Sequence, residues 1–244
     1  MRMISPKSKK TKPAEHSPAG TSGRAIFARA KNLYNMARRS EDYGQGFTLL
    51  KEAANLGLPE AHEWLGFVYQ FGLGTRSNRR LAFKHYLEAA DERHNSAEYQ
   101  VGLAYYKGMG VAKDPSVGVT WIRRAARHGS ASALYWLGWH YMSSDNQRRR
   151  RKGFNLLLTA ANRKEIQAQH AVGVCYETGD CVPCDARAAC RWYLQSAKGG
   201  YPYAAEALAR CYETGIGVRI SKRRSEFWQD RATDLWGQPG AGKP

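Results

Sequence analysis

No run of about eighteen consecutive apolar residues occurs in the chain, so it offers no membrane-spanning helix. No apolar stretch follows the early lysine cluster Lys7, Lys9, Lys10 and Lys12, which excludes a secretory signal. Both absences lead to the expectation of a cytoplasmic protein. Cysteine is scarce: there are five, and the first is Cys175. Acidic residues are few, 21 against 38 lysines and arginines, for a formal net charge of +17. Catalytic signatures are missing too. There is no H-E-x-x-H, no G-x-S-x-G and no phosphate-cradling glycine loop, and the seven histidines are scattered. These absences argue against an enzyme and against a resident cofactor.

What the chain does have is a period. Ala61, Ala97, Ala133, Ala168 and Ala204 are separated by 36, 36, 35 and 36 residues. Leu65-Gly66, Val101-Gly102, Leu137-Gly138, Val172-Gly173 and Leu208-Ala209 follow in register, as do Tyr69, Tyr105, Tyr141, Tyr176 and Tyr212. Ala97, Val101, Gly102 and Tyr105 share one face of a helix. Helix-breaking glycines come next, at Gly72/Gly74, Gly108/Gly110, Gly179 and Gly215/Gly217. Gly108-x-Gly110 lies between two helices and recurs, so it is an interhelix turn and not half of a nucleotide motif. Asp42, Asn78, Asp114, Asp185 and Ser221 then occupy one register and offer oxygens to cap a second helix. The large residue of that helix falls at Tyr86, Trp121, Trp192 and Trp228, with an apolar seam of Trp121, Ala125 and Ala126 in the third copy. A fixed period in the thirties marks a helical solenoid in which each hairpin buries its face on the next.

The pattern A-x3-L-G-x2-Y-x2-G-x-G-V, a capping Asp, then K-A-x2-W-Y-x-K-A-A resembles the Sel-like repeat, a relative of the tetratricopeptide repeat. The resemblance is strong over residues 61–233. It implies an all-α, right-handed α/α solenoid of about six helix hairpins that acts as an adaptor or scaffold for other proteins. The family pattern has no catalytic residue to carry over. Some secreted members carry a disulfide in each repeat. This chain has cysteines at one end only, so that pairing does not transfer.

The expected organisation is a disordered basic arm over 1–24, repeats starting near 25, 61, 97, 133, 168 and 204 within 25–236, and a flexible tail over 237–244. The arm is either a solubilising tail or a grip for an acidic partner. The first repeat is degenerate, as a terminal repeat should be, with Leu33 at the tyrosine position. In the repeat at Ala133 the loop Met142–Gln147 lacks the glycine pair and Arg150 stands at the nominal cap register.

Three features carry the functional expectations. Positions 3, 7 and 10 of each repeat point away from the core side. In the middle copies they are aromatic or apolar, giving Phe67, Tyr99, Leu103, Tyr106, Tyr135 and Trp139 as partner-binding candidates. Toward the C-terminus they turn mostly acidic. Either they line a concave groove for a partner segment, or they pack between neighbouring helices. The second feature is a basic edge: Arg79, Arg80, Arg148, Arg149, Arg150, Arg151, Lys152, Arg187, Arg223 and Arg224, all near the start of second helices. A helix N-terminus disfavours cations by a few tenths of a kcal/mol each. Such an edge is either a solvated surface or a grip for an acidic protein, an anionic lipid or nucleic-acid phosphate. No base-reading motif is present, so nucleic-acid binding would be unspecific. The third feature is Cys175, Cys181, Cys184 and Cys190, spaced C-x5-C-x2-C-x5-C. They read first as two core residues and two loop thiols, then as a zinc set, then as a redox pair Cys181/Cys184.

Overall fold

A computed structural model describes residues 19–37 and 40–237. Among the described residues there are twelve helices and no strand. In chain order they are α1 (Ala19–Met36), α2 (Ser40–Asn55), α3 (Pro59–Phe71), α4 (Arg79–Asp91), α5 (Asn95–Lys107), α6 (Pro115–Arg127), α7 (Ala131–Met142), α8 (Gln147–Asn162), α9 (Ile166–Thr178), α10 (Ala186–Lys198), α11 (Pro202–Thr214) and α12 (Lys222–Trp236). The helices form two compact units of α/α solenoid, divided after Lys113. In the first unit, α1 to α5 pack each on the next. The second unit repeats this from α6 to α12.

Local chemistry places the helix ends. Proline opens α3, α6 and α11, where its missing N–H costs nothing. Second helices are capped by side chains. The Asn78 side chain accepts from the N–H groups of Arg80 and Leu81, Asp114 from Ser116 and Val117, Asp185 from Ala188, and Ser221 from Arg224. Several cap residues also give their own N–H to a carbonyl in the tyrosine register: Asn78 to Tyr69 at 2.7 Å, Asp185 to Tyr176 and Ser221 to Tyr212 at 2.9 Å. One loop residue thus closes the hairpin and starts the next helix.

Packing explains the small-residue register. A Cβ on Gly66 would stand 2.6 Å from the ring of Tyr86, one on Gly173 2.6 Å from Tyr193, and one on Gly138 2.7 Å from Leu157. The glycine lets the large residue of the second helix lie against the backbone of the first. The second loop glycine stacks one repeat on the next. Gly110 meets the carbonyl of Arg79 at the start of α4, and Gly217 that of Ala186 at the start of α10. A Cβ at either glycine would stand only 2.0 or 2.1 Å from that oxygen. In the first unit Ala30, Tyr34, Leu50, Ala53, Ala61, Leu65 and Val68 form one core. In the second unit one core surrounds Leu157, Val172 and Cys175, and another surrounds Tyr193, Leu208 and Cys211.

The structure corrects several expectations. At the register of Tyr86 the buried large residues of the second helices are Leu50, Tyr86, Ile122, Leu157 and Tyr193, so Trp121 and Trp192 stand one position off the seam and stay partly exposed. Gly118, Ile122 and Ala125 follow the helical spacing that faces inward, and the rim position suits indole, as Arg124 lying 4.7 Å over Trp121 illustrates. In the first repeat Tyr34 is buried in place of Leu33. Asp42 lies inside the first turn of α2, which begins earlier, at Ser40. The fourth second helix also begins early. Asn146 caps it through the Arg149 N–H, and Arg150 falls within the first turn. Without a glycine pair the loop is short, so α8 gains the length that its counterparts give to the turn. Helix α1 starts at Ala19 and takes in residues 19–24 of the proposed arm, and Gly23 packs against Leu56. The rest of the arm, 1–18, and the tail from 238 lie outside the described residues.

Candidate interaction surfaces

The aromatic candidates fall on first helices. Helix α3 carries Trp64, Phe67 and Phe71 one turn apart, with ring centroids 6.2 Å apart for the first pair and 4.7 Å for the second. Phe67 is 42% exposed and Phe71 58%, which is unusual for two adjoining phenylalanines. Trp64 anchors the strip: it packs on the buried core and meets Phe27 and Tyr34 edgewise or tilted. Two hollows flank the strip. One, of about 240 Å³, is lined by Glu63, Trp64, Phe67, Tyr86 and Gln100. The other, of about 270 Å³, is lined by Gln70, Phe71, Arg79, Phe83, Gln100 and Met109 among others. Tyr86 and Gln100 border both. The Tyr86 hydroxyl donates to Gln70 Oε1 at 3.0 Å and fixes that amide. Burial, with the Glu63 carboxylate nearby, raises the Tyr86 phenol and keeps it neutral.

Trp64 and Phe71 were not among the sequence candidates. Their signal was the i, i+3, i+7 spacing W-x2-F-x3-F around Phe67. Tyr99, Leu103 and Tyr106 are half-buried on α5. In the second unit, Tyr135 packs against the core around Leu157, so packing between helices accounts for part of it. Its phenol is raised by burial, with Glu165 adding to the shift and a hydrogen bond with Trp139 opposing it. Trp139 is 45% exposed. Two of the acidic positions farther on, Glu177 and Glu206, are engaged within the chain. Glu177 accepts from Arg210 at 2.9 Å and from the Tyr193 hydroxyl, and Glu206 accepts from Trp236 Nε1 at 2.7 Å.

The basic candidates all lie in the first two turns of second helices. Arg79 and Arg80 open α4; Arg148, Arg149, Arg150, Arg151 and Lys152 open α8; Arg187 opens α10; Arg223 and Arg224 open α12. All but Arg150 are exposed. Arg150 pairs with Asp180, beside a hollow of about 350 Å³ that Arg151 also lines. Arg149 lies over Tyr141 and Arg224 over Tyr212, at 5.7 and 5.4 Å.

The four clustered cysteines do not converge. Cys181 meets the Met142 sulfur at 3.7 Å, Cys184 donates to the Glu177 carbonyl at 3.3 Å, and Cys190 donates to the Ile216 carbonyl at 3.1 Å. All five thiols are free, so Cys181 and Cys184 are not joined. Burial pushes the Cys175 thiol up to about 11 and the Cys211 thiol up to about 12, away from the thiolate that metal binding or attack requires. The histidines are less scattered than their spacing suggests. His62 and His85 stand with Nδ1 atoms 3.1 Å apart.

Helix pairs repeated in this way define an α/α solenoid of helical repeats. No helix among the described residues is long and apolar enough to cross a membrane. The family model for the Sel1 repeat matches residues 29–58, 59–94, 95–130, 131–164, 166–201 and 202–235, and the chain belongs to that family. It is 27% identical over 214 residues to chitin synthase regulatory factor 2 of Schizosaccharomyces pombe, a match covering 80% of this chain and 42% of the relative. It is 29% identical over 196 residues to chitin synthase regulator SKT5 of Saccharomyces cerevisiae, covering 76% and 28%. The chain thus spans less than half the length of these relatives. Among solved structures, a Sel1 repeat protein from Oxalobacter formigenes superposes with a TM-score of 0.67 at 26% identity, covering 86% of this chain and 82% of the other.

Proposed function

We propose that the chain is a non-enzymatic scaffold that binds a segment of another protein on its first helices. The observation that carries this reading is the strip Trp64, Phe67 and Phe71, in which the two phenylalanines are exposed and the tryptophan partly buried, beside two hollows whose rims hold the amides of Gln70 and Gln100. Aromatic side chains in partly desolvated hollows are the usual anchors of protein interfaces, and neighbouring amides pair with a partner's backbone. Tyr99, Leu103 and Tyr106 extend this set along α5, and Tyr135 and Trp139 are the corresponding candidates on α7. Packing within each unit holds these side chains in place before binding, which lowers the ordering cost. Two relatives are named as regulators of an enzyme, and a role in positioning another protein agrees with that. Five free thiols suit the reducing cytoplasm that we assign to the chain.

A second reading has its own observation. Nine of the ten basic candidates are exposed at helix N-termini, where the local field opposes them. They would grip an acidic protein surface or, without sequence preference, nucleic-acid phosphate. One experiment separates the two readings. The wild-type chain, Phe67→Ala/Phe71→Ala, and a variant with Arg148, Arg149, Arg150 and Arg151 changed to Ser are each immobilised after matching melting curves have been obtained. The first reading expects a bound protein that only the phenylalanine variant loses. Loss of nuclease-sensitive material with the arginine variant alone would replace it with the second.

A further inference from the structure

Helices α3 and α4 bring three ligand-type atoms into one small triangle in the first unit. His62 Nδ1 is 3.1 Å from His85 Nδ1 and 2.9 Å from Glu88 Oε2, and His85 Nδ1 is 3.3 Å from the same oxygen. His85 and Glu88 are one turn apart on α4, and His62 faces them from the start of α3. Tetrahedral zinc with nitrogen and oxygen ligands at about 2.0–2.1 Å separates its ligands by about 3.3 Å. The observed triangle is one face of that tetrahedron.

The surroundings point the same way. His62 Nε2 lies 3.1 Å from the carbonyl of Ala54, which can only accept. The ring proton therefore sits on Nε2, and the lone pair of Nδ1 is directed into the triangle. A backbone carbonyl behind a histidine is the usual outer partner of a metal ligand. The Tyr69 ring stacks on His85, with planes 4° apart and centroids at 5.5 Å, and fixes its orientation. Lys84 Nζ stands 3.9 Å from the other oxygen of Glu88, leaving Oε2 to face the histidines. Three electron-pair donors about 3 Å apart repel one another unless a proton or a cation lies among them. A proton on one imidazole would satisfy one edge of the triangle, and a divalent ion would satisfy all three. The side chains are 21%, 19% and 40% exposed, so an ion has a path in and a water can take the fourth position.

We propose that His62, His85 and Glu88 bind one divalent transition-metal ion of the zinc type, through both Nδ1 atoms and Glu88 Oε2, with water as the fourth ligand. The ion clamps α3 to α4 within one repeat, on residues separate from the aromatic strip. The site does not depend on the scaffold reading.

The test titrates zinc chloride alone into the full chain at neutral pH by calorimetry, with Cys181→Ser/Cys184→Ser as the background to remove the more accessible thiols. The expected result is one saturable equivalent that also raises the melting temperature. His62→Ala and His85→Ala should abolish it, and His140→Ala should not. Glu88→Gln should weaken it by more than the roughly 10–100-fold that loss of an outer partner costs. Cobalt should give visible tetrahedral bands without thiolate charge transfer. If the histidine variants melt early, Glu88→Gln decides, because that side chain is the most exposed of the three. Absence of saturable binding, binding unchanged in these variants, or a thiolate band would each overturn the proposal.

Discussion

Gly173 on α9 lies flat against Tyr193 on α10, so closely that a Cβ at residue 173 would stand 2.6 Å from the tyrosine ring. Tyr193 is fully buried and has no room to yield. Gly173→Ala therefore forces α9 and α10 apart and should cost about 1–3 kcal/mol, as overpacking does. Gly44, on α2, is the contrasting position, since a Cβ there meets nothing within 4 Å. Gly44→Ala should stabilise by up to about 1 kcal/mol through helix propensity alone. Denaturant midpoints of the two variants check both signs.

The turns after α2, α4, α6, α8 and α10 each pass through a left-handed residue. Gly57, Gly129 and Gly200 fill that place in three copies, with Arg93 at φ 59° and Lys164 at φ 66° in two others. A side chain there costs about 1–2 kcal/mol, and glycine gives back about 0.5–1 of that through the freedom of the unfolded chain. Lys164→Gly should stabilise by about 0.5–1 kcal/mol, and Gly129→Lys should destabilise. Thermal melts at matched pH measure both.

The early start of α8 rests on Asn146, whose side chain accepts from the Arg149 N–H at 3.2 Å. Asn146→Ala should cost about 1 kcal/mol, the usual value of a lost cap. Asp145→Ala, one residue before the cap, should cost little. If the two variants melt alike, Asn146 is not the start of that helix.

His170 is enclosed by the rings of Tyr193, Tyr201 and Tyr203. Burial lowers its pKa, the Arg210 guanidinium lowers it further, and the Glu177 carboxylate opposes them. The folded protein thus takes this proton at lower pH than the unfolded chain does. As pH falls through about 6.5, the unfolded state binds more protons and stability is lost. His170→Phe should flatten that part of the stability curve relative to wild type, as measured by denaturation at a series of pH values between about 5 and 8.

The repeat was legible because each hairpin solves the same packing problem with the same residues. Leu65-Gly66 and Val172-Gly173 reveal their purpose by spacing alone, and Asn78, Asp114, Asp185 and Ser221 cap where their register says. What was not legible depended on facing angle or on pairing between helices. Trp121 and Ile122 are adjacent in sequence, and only the direction of α6 decides that the smaller residue goes inside. Asn146 was hidden because a short loop moved the helix start by one turn. His62 and His85 are 23 residues apart, and nothing in either helix alone announces that α3 and α4 bring their rings together. The signal was present in the one-turn spacing of His85 and Glu88, which set two ligands on one face of α4.

The scaffold reading stands on Phe67 and Phe71 holding a partner through apolar contact. Its sharpest test is the affinity of the captured partner for wild type and for Phe67→Ala/Phe71→Ala, between about 50 and 200 mM salt. Apolar contact predicts an affinity that changes little with salt and falls at least about tenfold in the variant, as expected when anchors worth more than about 1 kcal/mol each are removed. An affinity untouched by the variant but falling by roughly a thousandfold over that salt range would contradict it, and would assign the binding to the arginines.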